Sequence, residues 1–165
     1  MRYSRILFIC NDNTALSPLA AWYMRKYLGD ECVIYSRGIV VLYPEPYNPK
    51  VYEILSGDGI VADEESQSRK VTVNDFSSTT LVLTMDERQK QHIYDNFQDA
   101  INVYTIKEFA LRAEVDDPDI KEPYGLGMEG YKAVYEEIKG YLDMIIEYLT
   151  HSKKEGIKED DSDSM

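Results

Sequence analysis

Cysteine and histidine are scarce in this 165-residue sequence. The cysteines are Cys10 and Cys32, and the histidines are His92 and His151. Two cysteines are too few for a disulfide framework, and with no secretory signal pattern they predict a reducing, cytoplasmic setting. The histidines are not spaced as metal ligands, either from each other or from a cysteine. The sequence therefore predicts no metal site.

Positive charge and long hydrophobic runs are also lacking. The chain has 18 basic and 30 acidic residues, which gives a net charge of −12. This charge repels a phosphate backbone, so we expect no nucleic-acid partner. The apolar run at 6–10 is too short to cross a bilayer, so we expect no membrane partner. The polar stretch 152–165 is predicted to be an acidic disordered tail that follows one domain at 1–151. The oligomeric state stays open.

Short β-type segments alternate with helical patterns through the first 150 residues. Strands are predicted at 5–9, 32–35, 80–84 and 102–105, and helices at 17–28, 48–55, 86–96 and 129–150. The first helix is expected to begin with Ser17 as N-cap and Pro18 at its first position. This alternation predicts an α/β fold with an open parallel sheet covered by helices on both faces. In such sheets ligands bind beyond the carboxyl ends of the strands.

A cysteine ends the first predicted strand, and a short polar loop connects it to the first helix. Backbone N–H groups of the loop and the helix N-terminus are expected to converge on one point and form an anion-binding site. The helix dipole favours a thiolate there, so Cys10 is predicted to be a nucleophile. The predicted anion-binding loop consists of Asn11, Asp12, Asn13, Thr14, Ala15, Leu16 and Ser17.

Several segments share their order with one known family. In the loop, the matching residues are Cys10, Asn13, Ser17 and Pro18. Further matches are Ser36-Arg37-Gly38, Glu45-Pro46 with Pro49, Gln67-Ser68-Arg69, Met85-Asp86 and Glu122-Pro123-Tyr124-Gly125. On these residues the chain resembles the low-molecular-weight protein-tyrosine phosphatase family, from residue 3 to about residue 149. Thr14 is similar to the residue found in the branch that dephosphorylates phosphoarginine.

The resemblance implies a fold, a reaction and residue roles. The fold is a three-layer α/β sandwich with a four-stranded parallel sheet of order 2-1-3-4 and helices on both faces. The reaction is phosphomonoester hydrolysis without a cofactor, on a phosphorylated protein or a small phosphomonoester that carries phosphotyrosine or phosphoarginine. Cys10 attacks phosphorus to form a phosphocysteine, and Glu122 serves as the general acid. Tyr124 lines the mouth of the pocket.

The loop departs from the family pattern at two positions. Leu16 occupies the position of the arginine that binds the phosphoryl oxygens, and Asp12 replaces a glycine. Loss of one neutral oxyanion donor costs about 2.7–4 kcal/mol, and a charged bidentate donor matters at least as much. We therefore expect a rate loss of at least roughly a thousandfold, which leaves the enzyme strongly impaired or inactive.

Alternatives follow from the same residues. Arg37 or Arg69 could replace the missing arginine and keep the protein active. The protein could also be a phosphocysteine carrier, similar to sugar-phosphotransferase IIB components, or a non-catalytic binding module. Ala15 replaces a second cysteine common in the family, so a redox switch with Cys10 is not expected. Acids near the general-acid position that could substitute for Glu122 are Asp116, Asp117 and Asp119.

Overall fold

The computed structural model describes residues 2–163, and the side chains of residues 2–151. In this part of the chain the strands are β1 (Arg5–Cys10), β2 (Val33–Gly38), β3 (Thr80–Thr84) and β4 (Val103–Thr105). The helices are α1 (Leu16–Leu28), α2 (Pro49–Gly57), α3 (Glu87–Asn96), α4 (Ile106–Leu111) and α5 (Gly127–Asp163). A short 3₁₀ helix spans Val73–Asp75.

The four strands form one parallel sheet in the order β2-β1-β3-β4. The two central strands, RILFIC and TLVLT, are buried along almost their whole length, as expected of strands covered on both faces. Ile9 lies beside Thr84, and Cys10 lies beside Gly38. The predicted α/β sandwich and its strand order are confirmed.

Alternate side chains of β1 enter two separate cores. Phe8 and Cys10 belong to the larger core, which α1, α2, α4 and α5 cover. Leu7 and Ile9 belong to the smaller core on the opposite face, together with Ile93 of α3. This alternation follows from the two-residue period of a strand. It places the Cys10 side chain on the face of the sheet that carries α1.

Two of the predicted helix starts are confirmed. Asn48 accepts a hydrogen bond from the backbone N–H of Lys50, with Pro49 at the first helical position. Asp86 accepts one from the backbone N–H of Gln89.

The predicted start of α1 is wrong. The helix begins at Leu16 with Ala15 as N-cap, and no side chain caps it. Ser17 lies inside the first turn because its hydroxyl is bonded to the groups of the preceding loop instead.

Helices near the end of the chain extend beyond the prediction. The sequence did not predict α4, which is only six residues long and begins where Thr105 Oγ1 accepts a hydrogen bond from the backbone N–H of Glu108. Helix α5 begins close to its predicted start and continues past residue 150. The boundary after 151 and the disorder of 152–165 stay predictions, because the described side chains end at His151. Within the described residues, no helix has both the length and the apolar composition needed to cross a membrane.

Candidate active site

Cys10 is the last residue of β1, and its side chain is completely buried beneath the loop that follows. Its Sγ lies 2.9 Å from the hydroxyl oxygen of Ser17 in the first turn of α1. The backbone N–H of Asn13 donates to the same sulfur at 3.3 Å. The loop therefore curls around the thiol, and the predicted convergence of loop and helix on Cys10 is present.

Asn13 holds the loop in this shape. Its Nδ2 donates to the hydroxyls of Ser17 and Ser36, each at 2.9 Å, and its Oδ1 accepts from the backbone N–H of Arg69 at 2.9 Å. The residue is buried and its φ is +59°, in the left-handed region that asparagine tolerates better than most residues. Asn13 thus joins the loop to α1, to β2 and to the segment before β3.

Backbone contacts fix the outer side of the loop. The N–H of Val40 donates to the carbonyl of Asn11 at 2.8 Å, and the N–H of Asn48 donates to the carbonyl of Thr14 at 2.8 Å. Gly38 packs so closely that a Cβ there would lie 3.0 Å from the Asn11 carbonyl oxygen. From the other side, Gln89 Nε2 donates to Asn11 Oδ1 at 3.1 Å. These contacts hold the loop from both sides.

Asp12 turns back onto its own loop. Its Oδ1 accepts a hydrogen bond from the backbone N–H of Thr14 at 3.1 Å, the geometry of an Asx turn. One N–H donor of the loop is therefore already bonded to a carboxylate of the protein.

Leu16, at the position where the resemblance expects an arginine, is 0% exposed. Its side chain belongs to the larger hydrophobic core with Leu19 and Ala20. It contributes packing at the base of the loop, and an aliphatic side chain has no donor for an oxyanion.

Neither of the two candidate replacement arginines has a described side-chain bond to the loop. Arg37 lies on the opposite face of the sheet from Cys10, where its Nε is 3.3 Å from an Asp75 carboxylate oxygen. Its guanidinium also donates to the carbonyl of Ser36 at 2.8 Å. Arg69 contributes its backbone N–H to Asn13, while its side chain is exposed.

The sequence profile of the family described as "Low molecular weight phosphotyrosine protein phosphatase" matches residues 5–155. The chain belongs to this family. It is 28% identical, over 81% of its length and 91% of the relative's, to the low molecular weight protein-tyrosine-phosphatase PtpB of Staphylococcus haemolyticus. It is 30% identical to a protein-arginine-phosphatase of Geobacillus stearothermophilus, over 88% and 95% of the two chains.

The structure of this family member is also similar to a solved structure of a relative. The YwlE arginine phosphatase from Geobacillus stearothermophilus superposes with a TM-score of 0.82 at 27% identity. The match covers 92% of this chain and 96% of that one. Both the protein-tyrosine and the protein-arginine branches of the family are thus represented among the relatives.

Negative charge surrounds the family's nucleophile position. Burial, together with the charges of Glu122 and Asp12, raises the pKa of Cys10 to about 12, against the opposing hydrogen bond from Ser17. The helix dipole is expected to favour a thiolate, and burial of Cys10 acts in the opposite direction.

Glu122 lies near the mouth of the site. Burial, with the charges of Asp12 and Asp86, raises the pKa of its carboxyl from 4.5 to about 7. Tyr124, beside it, is 65% exposed, and burial with the charges of Glu122 and Asp12 raises the pKa of its phenol to about 12. The charges of Glu122 and Asp12 thus both act on Cys10, and the role of Glu122 as general acid stays a prediction.

The other predicted acids serve elsewhere. Asp119 accepts a hydrogen bond from the backbone N–H of Glu87 at the start of α3, and Asp117 accepts one from the backbone N–H of Asp119. Asp116 is exposed. None of the three has a described bond to the loop. The thiol of Cys32 donates a hydrogen bond to the carbonyl of Leu28, at the opposite end of α1 from Cys10.

Sequence reasoning missed two residues of the site. Ser36 appeared only as part of a matching segment, yet its hydroxyl anchors Asn13. The sequence analysis did not single out Gln89, yet its buried amide accepts from the backbone N–H groups of Met85 and Asp86 and donates to Asn11. The pairing of Asp86 with Gln89 three residues later is a capping-box pattern, which could have revealed the position.

Proposed function

We propose that this member of the low-molecular-weight phosphotyrosine phosphatase family hydrolyses phosphomonoesters with strongly impaired efficiency or not at all. The observation that carries the proposal is Leu16, a fully buried aliphatic side chain at the position of the family's phosphate-binding arginine. In this proposal the loop is a folded scaffold that serves binding rather than turnover.

Electrostatics explains the loss. A phosphoryl dianion over Cys10 would meet the carboxylates of Asp12 and Glu122, with no guanidinium to offset them. The backbone N–H of Thr14 already donates to Asp12. Removal of an oxyanion donor costs about 2.7–4 kcal/mol, and a neutral thiol is a poor nucleophile, so each effect lowers the rate.

A second candidate is an active phosphatase on phosphotyrosine or phosphoarginine in which another arginine replaces the missing one. It is favoured by the carboxyl of Glu122, whose pKa of about 7 suits a general acid at neutral pH. In this candidate the remaining N–H groups of the loop hold the phosphoryl group, and Arg37 or Arg69 supplies the cation. The backbone N–H of Arg69 already donates to Asn13 in the loop.

Hydrolysis of an aryl phosphate separates the two candidates. We expect wild type to match Cys10→Ser at background, and the double variant Asp12→Gly/Leu16→Arg to gain at least about tenfold over wild type. The double variant Asp12→Gly/Leu16→Met is the matched control, because it opens the loop without adding a cation. Circular dichroism checks that each variant is folded.

The Geobacillus stearothermophilus protein-arginine-phosphatase, assayed alongside, gives the scale. Wild-type activity comparable to that relative and abolished in Cys10→Ser would overturn the proposal. Loss of that activity in Arg69→Gln would then identify Arg69 as the phosphate-binding cation. A much weaker activity that Cys10→Ser abolishes fits the strong impairment proposed.

A further inference from the structure

The outer edge of β2 carries a row of arginines. In the sheet, β2 is an edge strand, so one side of its backbone faces away from β1. On that side the carbonyl of Ile34 accepts a hydrogen bond from Arg25 Nε, and the carbonyl of Ser36 accepts one from Arg37, both at 2.8 Å. The next outward position, Gly38, donates its N–H to the carbonyl of Arg69 at 2.8 Å.

Three successive outward positions of one strand thus contact arginine residues. Two of the contacts are made by the arginine side chains, and the third by the backbone carbonyl of Arg69. Residues two apart in a strand are separated by about 6.6 Å, so the contacts are evenly and closely spaced. We call Arg25, Arg37 and Arg69 the β2-edge arginines. They come from α1, from β2 itself and from the segment before β3, so the fold brings them together from distant parts of the chain.

The β2-edge arginines line one cavity of about 180 Å³. Tyr35 and Tyr47 form part of its wall. None of the described residues that line it is acidic, although the chain as a whole carries a net charge of −12. Cys10 does not line this cavity, although two of its lining residues, Ser36 and Arg69, also contact Asn13 of the loop.

The positive charges in this cavity are only partly compensated. Asp75 pairs with Arg37 on the face of the sheet opposite Cys10. The guanidinium of Arg25 lies against the ring of Trp22, 4.5 Å from its centroid. Burial lowers the pKa of Arg25, and the neighbouring charge of Arg37 lowers it further. An anion held between these cations would relieve their repulsion.

We propose that the cavity of the β2-edge arginines binds a phosphoryl group, either as inorganic phosphate or as a small phosphomonoester. Guanidinium groups bind phosphate oxygens through paired, charge-assisted hydrogen bonds. Several cations around one cavity match a dianion better than a singly charged carboxylate. The aromatic rings of Tyr35 and Tyr47 offer a surface for an organic substituent.

Trp22, the sole tryptophan, reports on this site because it contacts Arg25. The full chain is titrated with inorganic phosphate and with phenylphosphonate, which cannot be hydrolysed, against chloride at matched ionic strength. We expect a saturable fluorescence change with both phosphorus oxyanions and none with chloride. Equal affinities identify the phosphoryl group alone as the ligand, and tighter binding of phenylphosphonate identifies an organic monoester.

Arg69→Gln is the decisive variant, because it removes a cation while leaving the reporter contact intact. Its dissociation constant should rise at least about tenfold, whereas Arg88→Gln, an exposed arginine on α3, should stay within about twofold of wild type. Amide shifts in ¹H–¹⁵N spectra locate the ligand, with changes expected at Ser36 and Gln67. Equal affinity of wild type and Arg69→Gln, or amide shifts confined to 11–17, would overturn the proposal.

Discussion

The carboxylate of Asp12 accepts a hydrogen bond from the backbone N–H of Thr14 at 3.1 Å, within the loop that surrounds Cys10. In an anion-binding loop this N–H group would be a donor to the ligand. Here a side chain of the loop occupies it and adds negative charge beside the thiol, whose pKa burial and the charges of Glu122 and Asp12 raise. Under the proposed function, Asp12 and Leu16 weaken oxyanion binding in two independent ways.

The reactivity of Cys10 tests this electrostatic description. Because its pKa is raised to about 12, Cys10 should be largely un-ionised at pH 7, and iodoacetamide should modify it very slowly in the folded protein. Asp12→Asn should speed the reaction, because it removes a charge that raises the pKa, whereas Asp30→Asn, far along the chain in an exposed turn, should not. Site-resolved mass spectrometry measures both rates. Modification of folded wild type at pH 7 as fast as in denaturant would contradict the account.

Glu122 should make stability depend on pH. Its pKa is about 7 in the folded protein and 4.5 ordinarily, so between these values the folded state keeps a proton that the unfolded state releases. The free energy of unfolding therefore falls as pH rises through this window. Glu122→Gln should remove this loss. The free energy of unfolding of the variant should therefore exceed that of wild type by more at pH 8 than at pH 4.

Urea denaturation at the two pH values measures the effect. Glu53→Gln, an exposed position on α2, is the control, and its difference from wild type should not depend on pH in the same way. A stability gain for Glu122→Gln that is equal at both pH values, or larger at pH 4, would show that the carboxyl is not protonated in the folded state near neutrality.

Asn13→Ala should be strongly destabilising. The substitution removes three hydrogen bonds of a buried side chain and places a Cβ residue without a polar group at φ +59°. We expect a loss of about 3–5 kcal/mol in the free energy of unfolding. Asn13→Gly, which accepts the positive φ, should lose about 1 kcal/mol less. Chemical denaturation of the two variants separates the contribution of the hydrogen bonds from that of the backbone strain. A loss below 1 kcal/mol in the free energy of unfolding of both variants would show that Asn13 does not hold the loop in shape.

Gly38→Ala should damage the loop through its backbone neighbours. A Cβ at Gly38 would lie 2.7 Å from a Val41 methyl and 3.0 Å from both the Asn11 carbonyl oxygen and Asn13 Cβ. We expect a cost of about 1–3 kcal/mol in thermal or urea unfolding. Gly57→Ala is the matched control, since nothing lies within 4 Å of a Cβ there, and it should be neutral or slightly stabilising. Equal behaviour of the two variants would mean that the loop yields to the added methyl group.

The sequence predicted the sheet well because its strands are short apolar runs separated by clear helix starts. Asn48-Pro49 and Asp86 are local signals that depend on one turn of chain, and both act as predicted. The start of α1 failed for the opposite reason. Ser17 has one hydroxyl, and folding brings the thiol of Cys10 and the amide of Asn13 near it. The hydroxyl bonds to both of these groups instead of capping the helix.

Sequence patterns locate the loop around Cys10 but do not give the electrostatics of the site. The position of Cys10 at the end of β1 follows from the sequence pattern, whereas its raised pKa depends on burial beneath the whole loop. The sequence could have predicted the direction of the Arg37 side chain, because strand alternation places it on the face opposite Ser36. Its partner Asp75 lies in a 3₁₀ helix that no sequence pattern indicated.

Oxyanion binding at Cys10 tests the central claim most directly. Wild type and Asp12→Gly/Leu16→Arg are titrated with vanadate while the backbone amide signals of residues 11–17 are followed by NMR. The account predicts saturable shifts of these amides in the double variant and none in wild type at the same concentrations. Saturable shifts at 11–17 in wild type, with an affinity equal to that of the double variant, would contradict it.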